Sequence, residues 1–439
     1  MKKIMIYVVL CGSLILGNCI PTRQMVSTIV PTIAAVTDTP QLTPAPTKTS
    51  SPTPLSTHTF TPTPEPPIVQ NCISIQPELP ADHTYTGNLL LVDAAYGSLE
   101  LYNLQSSESV ILSEEDYVDH ETSPDHTQIA LRDYRTETIY IFSAQGKVIK
   151  RIPMRSNWGW LADWLDNQQI AIVMSEPSDD PRYQKYPASV AIFDTVTGLT
   201  QVLTPDYPDI DFANPLTQFG GRWGSTIYNA SLTRVVYAGR VSNPPPETGG
   251  GNAYIFYSLT DEKRLAEILN LRMRALPIWL GNGTQVIILG VDEFYRVDAD
   301  EKIEKLTRFN PDYVFNEGSS LDYLFDDYYS LSPDESRLAF WQTRYEKNLD
   351  TNQLSYTLAI LDIETGEVTD TCISYGDHLP FDFPANSYPV WSPDGSTLAV
   401  YANYRSDEKE GSLVLIDLEE QAAYPLPGNW IPTGWLLAE

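Results

Sequence analysis

Three observations predict an all-β protein built as a seven-bladed β-propeller, with six or eight blades as the alternatives. About 370 residues follow a proline-rich segment that cannot join a core, and this length exceeds that of most single-core domains. A turn motif recurs along this length, each time ahead of an apolar strand. Residues 432–437 form a lone C-terminal strand, which can complete a blade begun near the N-terminus. Repeated sheets account for the length, because such a core grows with each repeat.

The first 18 residues have the features of a signal peptide. Lys2 and Lys3 precede the apolar run 4–16, which is shorter than a membrane span of about 20 residues. The run ends in Leu-Gly-Asn-Cys at 16–19, which resembles the lipobox of bacterial lipoproteins, and the resemblance implies that Cys19 is lipidated. Asn18 stands where lipoproteins usually have Gly, Ala or Ser. An ordinary cleaved signal and an uncleaved anchor are the alternatives.

Residues 19–68 are predicted to be the lipid attachment site and a disordered linker. Between positions 37 and 67 most residues are proline or threonine, and almost nothing can be buried. A proline-rich chain rises about 3.1 Å per residue, so this segment can hold a domain about 50 to 90 Å from a membrane. The folded domain is predicted to span residues 69–439.

The repeated motif is a turn of the type Ser-Pro-Asp-Gly followed by a strand. Serine suits the first turn position, proline fixes φ at the second, and glycine suits the fourth. Only one clear copy keeps that glycine, Gly395, whereas His126 and Glu335 replace it elsewhere, which predicts that those turns are a little strained or differently closed. The clear copies occupy 122–131, 331–340 and 391–400, and weaker copies occupy 164–173, 229–237 and 279–288.

Each copy is followed by a second hairpin with a short polar turn, such as residues 194–198. Four strands of this kind make one blade, and the unit recurs about every 40 to 60 residues. The remaining blade is split between the two ends of the domain. Its outer strands are predicted at 88–93, 99–104 and 109–113, and its inner strand at 432–437.

At these residues the chain is similar to the TolB-like propeller repeat, and the similarity covers residues 87–439. The Ser-Pro-Asp copies are typical of that fold. The family includes periplasmic binding proteins, protein-interaction domains and peptidase gates, so the resemblance implies a fold without choosing an activity. Asp394 and Gly395 are adjacent, which excludes a sialidase-type Asp box, where one residue separates the two.

The net charge limits which partners the protein can bind, and the cysteines indicate the compartment in which it works. The formal net charge of −29 argues against a nucleic-acid partner and is typical of a solvated acidic surface. Cys72 and Cys372 remain once the leader is removed, and in an exported chain they predict a disulfide between the start of the domain and a late blade. Two separately buried thiols are the alternative. We expect an exported monomer, anchored by its lipid at the bacterial cell envelope or cell surface.

In a four-stranded blade, the turns between strands one and two and between strands three and four lie on one face of the ring. The other connections lie on the opposite face. Every long connection in this chain belongs to the second set, which makes that face the better candidate for binding. These connections are 176–187, 205–222, 241–252, 308–328, 341–355 and 374–390.

Aromatic and acidic residues alternate in two of these loops. Aromatic rings can receive sugars or peptide side chains, while carboxylates bind hydroxyls or cations. The alternative is that the rings only pack the loops onto each other. The predicted binding residues are Tyr313, Phe315, Asp322, Tyr323, Phe325, Asp326, Asp327, Tyr375, Asp377 and Asp382.

No catalytic motif or cofactor is predicted. The sequence contains no Gly-x-Ser-x-Gly elbow, His-Glu-x-x-His helix or phosphate loop. Acidic runs at 206–211 and 298–301 leave a structural calcium ion open, although neither has EF-hand spacing. Spacing alone does not direct the densest group of metal-binding side chains toward one ion. That group is His120, His126, Asp119, Glu121 and Asp125.

These features predict a non-catalytic binding or scaffolding module that recognises a protein, a peptide or a glycan through the face with the long loops. The competing function is a carbohydrate-active enzyme, which requires two carboxylates about 5 to 10 Å apart in the central funnel. A purely structural surface protein is the third alternative.

Overall fold

The computed structural model describes the folded domain with gaps at its loops. Every described residue belongs to the compact unit Pro62–Glu439, and the unit Met1–Thr61 lies outside the described part. The signal peptide, Cys19 and the linker therefore stay predictions. Where the chain is described, no helix is long and apolar enough to cross a bilayer. The described residues are 69–79, 85, 87–93, 97–114, 119–155, 158–174, 190–203, 226–240, 252–269, 277–281, 283–289, 294–298, 302–307, 329–345, 354–374, 388–402 and 411–437.

The described secondary structure consists of short β-strands. In chain order these are β1 (Val69–Gln70), β2 (Ser74–Ile75), β3 (Asn88–Asp93), β4 (Leu99–Asn103), β5 (Ser109–Ser113), β6 (Asp119–Thr122), β7 (Gln128–Asp133), β8 (Thr138–Ser143), β9 (Val148–Pro153), β10 (Trp158–Trp164), β11 (Gln169–Met174), β12 (Val190–Asp194), β13 (Thr200–Leu203), β14 (Thr226–Tyr228), β15 (Arg234–Arg240), β16 (Asn252–Ser258), β17 (Lys263–Leu269), β18 (Ile278–Trp279), β19 (Gln285–Leu289), β20 (Phe294–Asp298), β21 (Ile303–Lys305), β22 (Tyr329–Leu331), β23 (Arg337–Tyr345), β24 (Leu354–Asp362), β25 (Val368–Ser374), β26 (Val390–Trp391), β27 (Thr397–Ala402), β28 (Ser412–Asp417), β29 (Ala422–Pro425) and β30 (Trp430–Leu436).

These strands form seven sheets, so the prediction of a seven-bladed propeller is confirmed. Blade 1 has the order β30-β3-β4-β5. Blades 2 to 5 are the consecutive groups β6 to β9, β10 to β13, β14 to β17 and β18 to β21. Blade 6 is β22 to β25 with β1 added, and blade 7 is β26 to β29 with β2 added.

An apolar cluster fills each junction between neighbouring blades. The second strand of a blade contributes to two junctions, because its side chains alternate between the faces of the sheet. In blade 3, Ile170 and Ile172 pack toward blade 2, whereas Ala171 packs toward blade 4. Residues 286–289 of blade 5 alternate in the same way between blades 4 and 6. Burial on both faces is why these strands are continuous apolar runs in the sequence.

The Ser-Pro-Asp turns are closed by their own side chains. The serine Oγ donates to the aspartate Oδ1 at 2.6 Å and accepts the amide five residues after the serine at 2.9 to 3.0 Å. The fourth turn position has a positive φ of 58° at His126, 60° at Glu335 and 74° at Gly395. Since a left-handed backbone is costly for residues other than glycine, the predicted strain at the first two turns is confirmed.

The two ends of the domain close the ring in blade 1. β30 pairs antiparallel with β3, and Asn88 lies opposite Leu436 while Asp93 lies opposite Trp430. The inner strand is therefore Trp430–Leu436 rather than the predicted 432–437, and β4 ends at Asn103, one residue earlier than predicted. The predicted closure is confirmed, and it satisfies the inner edge of β3, which no local hairpin covers.

Residues 69–76 form a strap across the outer edges of blades 6 and 7, which the sequence did not predict. β1 pairs with β25 and β2 pairs with β29, both in parallel. The Ile73 amide donates to the Thr371 carbonyl at 3.0 Å, and the Gln76 amide donates to the Ala423 carbonyl at 2.8 Å. The Ile73 side chain is buried in the cluster between the two blades.

A disulfide fastens this strap to blade 6. Cys72 and Cys372 are bonded with their Cα atoms 4.9 Å apart, and 300 positions separate them in the sequence. Cys372 lies where the pairing of β24 with β25 shifts register, and its φ is 59°. The predicted pairing is confirmed. Because disulfides persist in oxidising compartments, the bond points to an exported protein.

Candidate binding face

Strand direction divides the ring into two faces. In blades 2 to 7 the inner strand runs toward the turn that joins it to the second strand, as β6 runs toward turn 123–128. The third strand runs toward the turn that joins it to the fourth, as β12 runs toward turn 194–199. We call the face that carries these turns the short-turn face. The opposite face, which carries the remaining connections, is the long-loop face.

On the short-turn face, hydrogen bonds link the turns of neighbouring blades and fix them in place. Polar groups of these turns are thus committed to the architecture. The linking bonds are His126 Nδ1 to the Trp435 carbonyl at 2.8 Å, the Asp125 amide to Asn167 Oδ1 at 3.1 Å, Asn229 Nδ2 to the Gly283 carbonyl at 2.8 Å, the Gly281 amide to Glu335 Oε1, and Arg337 Nη2 to the Gly395 carbonyl at 2.7 Å.

The turn aspartates are held in their ionised form by the same networks. The Ser332 hydroxyl is the main cause that lowers the pKa of Asp334, against partial burial. Partial burial opposes ionisation of Asp125 and Asp394, but hydrogen bonds from the serine and from the residue two positions after each aspartate outweigh it and lower both pKa values. These carboxylates are structural acceptors, so a ligand has little to gain from them.

The predicted binding residues on the long-loop face, from Tyr313 to Asp382, all lie outside the described residues, so their role stays a prediction. The strands that flank their loops are described. β21 ends and β22 begins on the long-loop face, on either side of 308–328. β25 ends and β26 begins on the same face, on either side of 375–387.

One of the predicted loops is shorter than expected. β23 and β24 remain paired as far as Tyr345 and Leu354, so the predicted loop 341–355 was wrong at both ends. Within it, only residues 346–353 lie outside the described part. The start of β24 fits the alternation of apolar and polar residues at 354–358, which lies outside the Ser-Pro-Asp pattern.

Blade 2 contributes a described side-chain cluster to the long-loop face. Asp119 begins β6 and lies directly opposite Arg132 on β7. The Tyr134 hydroxyl donates to Asp119 Oδ2 at 2.6 Å, and Arg132 Nη1 lies 3.5 Å from the same oxygen. The Arg132 guanidinium also stacks on the Tyr134 ring at 4.0 Å. Tyr134 remains 45% exposed, so an aromatic ring of fixed orientation faces solvent at the turn between β7 and β8.

The electrostatics of this cluster keep the tyrosine protonated. Burial, followed by the negative charge of Asp119, raises the pKa of Tyr134 to about 12. The hydroxyl is therefore a donor to Asp119 over the whole physiological range, which holds the ring in place. Sequence reasoning singled out Asp119 only as a metal-ligand type and missed Arg132 and Tyr134. The cross-strand pairing of Asp119 with Arg132 was the signal that identifies the cluster.

The two histidines of the predicted metal-ligand group, His120 and His126, lie in different parts of blade 2. His120 is buried within β6, whereas the His126 ring is hydrogen-bonded to the Trp435 carbonyl on the short-turn face. Among the described side chains, no group of three or more His, Cys, Asp or Glu is arranged to hold a metal ion. The acidic run at 206–211 and most of 298–301 lie outside the described residues.

No family model and no curated protein matches the chain. Among solved structures, TolB from Acinetobacter baumannii is similar over 81% of this chain and 80% of its own, with 14% identity and a TM-score of 0.36. A putative TolB from Agrobacterium tumefaciens is similar over 70% and 96%, with 13% identity and a TM-score of 0.37. A functionally unknown protein from Desulfotomaculum acetoxidans is similar over 80% and 95%, with 12% identity and a TM-score of 0.41. The resemblance is one of fold, so the function must be argued from this chain's own residues.

Proposed function

We propose that this protein is a non-catalytic binding or scaffolding lipoprotein of the cell envelope, and that it recognises a protein, a peptide or a glycan through its long-loop face. In this proposal Cys19 carries the lipid, and residues 19–68 are the spacer between the membrane and the propeller. The single observation that carries the proposal is the difference between the two faces of the ring.

On the short-turn face, polar groups of several turns bond to the neighbouring blade, as the five linking bonds show. The long-loop face has long insertions between the same strands, and their length is not needed to close a blade. Blade 2 closes its second and third strands with residues 134–137 alone. Extra chain that the fold does not require is where binding residues are most often found.

The described cluster on blade 2 supports the same face. Tyr134 is exposed, but its orientation is fixed by Asp119 and Arg132. A ring fixed before binding loses little entropy when a sugar or an apolar side chain stacks on it. Such a ring is typical of a binding surface.

The proposal is tested with the full-length protein on a glycan array and against a displayed random-peptide library. We expect the deletion of 308–328 to remove selective binding, and Tyr134→Ala to weaken it about tenfold. Val196→Ala is the matched control, because Val196 is 68% exposed in a turn on the short-turn face. Equal binding by all variants contradicts the proposal, and so does turnover of any array glycan.

The anchor has its own test. Cys19→Ser is expected to release the protein from the membrane fraction, whereas Cys11→Ser, which changes a cysteine of the same leader, is expected to leave it there. Release by neither substitution, or by both, contradicts a lipid at Cys19.

A further inference from the structure

The outer strands of the blades differ in whether their edges are covered. In blades 6 and 7 the strap adds β1 and β2, so the outer edges of β25 and β29 are paired. Within the described residues, β5, β9, β13, β17 and β21 have a partner on one side only. An uncovered edge strand presents a row of amide and carbonyl groups that another strand can pair with.

The edge of blade 2 has a charge opposite to that of the molecule. Residues 147–155 contain four basic residues and no acidic one, in a chain with 57 acidic and 28 basic residues. The other open edges differ: β5 and β13 have no charged residue, and β17 and β21 combine basic residues with glutamate. β9 is thus a local cationic site on an anionic protein.

The side chains of this edge are exposed and oriented. Val148 is 42% exposed and Ile149 is 56% exposed. The Arg151 guanidinium stacks on the Tyr140 ring at 5.6 Å, and Arg155 stacks on Trp158 at 5.5 Å. Neither arginine has an ion-pair partner among the described residues. Exposed aliphatic and cationic side chains therefore lie along the outer edge of β9, which pairs with no strand among the described residues.

We propose that β9 is a docking edge for an acidic, extended segment of a partner protein, which adds to blade 2 as a fifth strand. The strap shows that edges of this propeller accept an added strand. Its amides at Asn71 and Ser74 donate to carbonyls at the edges of blades 6 and 7, each at 3.0 Å. Addition of a strand supplies affinity through the backbone, and alternating side chains supply selectivity.

Basic residues and bulges also protect edge strands from pairing, and β9 has a bulge at Ile149. That explanation fits this edge poorly. β25 contains a bulge as well and still accepts β1. A protected edge also gains nothing from two exposed aliphatic side chains, whereas a docking edge buries them. A polypeptide fits better than an anionic lipid or polysaccharide, because only another strand satisfies the backbone groups.

The test uses fluorescent peptides and the full-length protein, with binding followed by anisotropy. The first peptide alternates glutamate with valine, the second replaces glutamate with lysine, and the third has the first composition interrupted by prolines. We expect the acidic peptide to bind about tenfold more tightly than either of the others, with affinity falling as salt rises. Hydrogen exchange at the amides of residues 148–152 should slow only with the acidic peptide.

Variants place the site. Lys147→Glu combined with Arg151→Glu is expected to weaken binding of the acidic peptide by about tenfold or more. Lys263→Glu combined with Lys302→Glu is the matched control on blades 4 and 5 and should change it by less than about twofold. Ile149→Asp is a second test variant and should also weaken binding of the acidic peptide, whereas its control on β21, Ile303→Asp, should not. Equal effects of test and control variants overturn the proposal. Binding to anionic vesicles alone, or undiminished binding of the proline peptide, also overturns it.

Discussion

The disulfide between Cys72 and Cys372 should determine whether the strap stays on the propeller. The perturbation is the double substitution Cys72→Ser and Cys372→Ser, with wild type under reducing agent as a chemical equivalent. Cutting this bond removes no core side chain. In the described part of the chain, the strap is then held by its backbone pairing with β25 and β29 and by the buried Ile73.

The magnitude follows from the length of the closed loop and from the size of the strap. A separation of 300 positions corresponds to about 5 to 6 kcal/mol in the chain-entropy model, and measured losses for native disulfides are about 2 to 5 kcal/mol. Locally, the hydrogen bonds donated by the amides of Asn71, Ile73, Ser74 and Gln76 give about 0.5 to 1.5 kcal/mol each, and burial of Ile73 gives about 2 to 3 kcal/mol. Ordering costs about 1 to 2 kcal/mol per residue, so the eight residues 69–76 gain no net stability without the disulfide.

Hydrogen exchange and thermal unfolding test this reasoning. In the double variant, the amides of Asn71, Ile73, Ser74 and Gln76 should lose protection, while the second strands of the blades keep theirs. The midpoint of thermal unfolding should fall by roughly 3 to 6 °C, because a domain of about 370 residues has a large entropy of unfolding. Ile73→Ala with the disulfide intact is the control and should leave the four amides largely protected. Full protection of these amides in the double variant would refute the argument.

Three further predictions concern the Ser-Pro-Asp turns. Gly395→Ala should cost about 1 kcal/mol in chemical denaturation, because an added Cβ meets nothing closer than 3.5 Å and only the left-handed backbone is penalised; an unchanged midpoint would contradict this. Ser392→Ala should cost about 1.5 to 3 kcal/mol, since it takes the acceptor from the Thr397 amide and removes one donor from Asp394, which keeps its bonds from Ser396; Ser396→Ala should cost less. Hydrogen bonds in the fold, outweighing burial, lower the pKa of Asp125, Asp334 and Asp394, so their stabilisation is present above the ordinary value of 3.8 and is lost as pH falls below it. Asp394→Asn should flatten that part of the stability-against-pH curve, and an unchanged slope would argue against the assignment.

The repeat could be predicted from the sequence because it is encoded locally. A serine, a proline and an aspartate in succession specify a turn whose bonds form within six residues, as they do at 392–397. The strand that follows is apolar on both faces, which indicates a sheet buried on both sides. The lone C-terminal strand could also be assigned to the split blade, because that blade was the one whose inner strand was missing from the predicted set.

The strap and the blade 2 cluster could not be predicted in this way. β1 and β2 are two residues long, and no periodicity distinguishes them from a loop. Their pairing depends on edges contributed by residues 300 or more positions later, which only the closed ring brings within reach. Arg132 and Tyr134 are unremarkable in the sequence and become a site only through the register of β6 with β7.

From the sequence by itself we could predict seven blades, the closing strand, the cysteine pair and two faces with connections of different length. Turn chemistry, strand alternation and connection length are local properties, and they act before any tertiary contact forms. The tertiary structure alone decided that residues 69–76 cover two sheet edges and that, among the described strands, none covers the outer edge of blade 2 with its cations and exposed aliphatic side chains. Whether a strand edge is covered depends on segments that are far away in the sequence, and a local sequence pattern does not indicate which of them reach that edge.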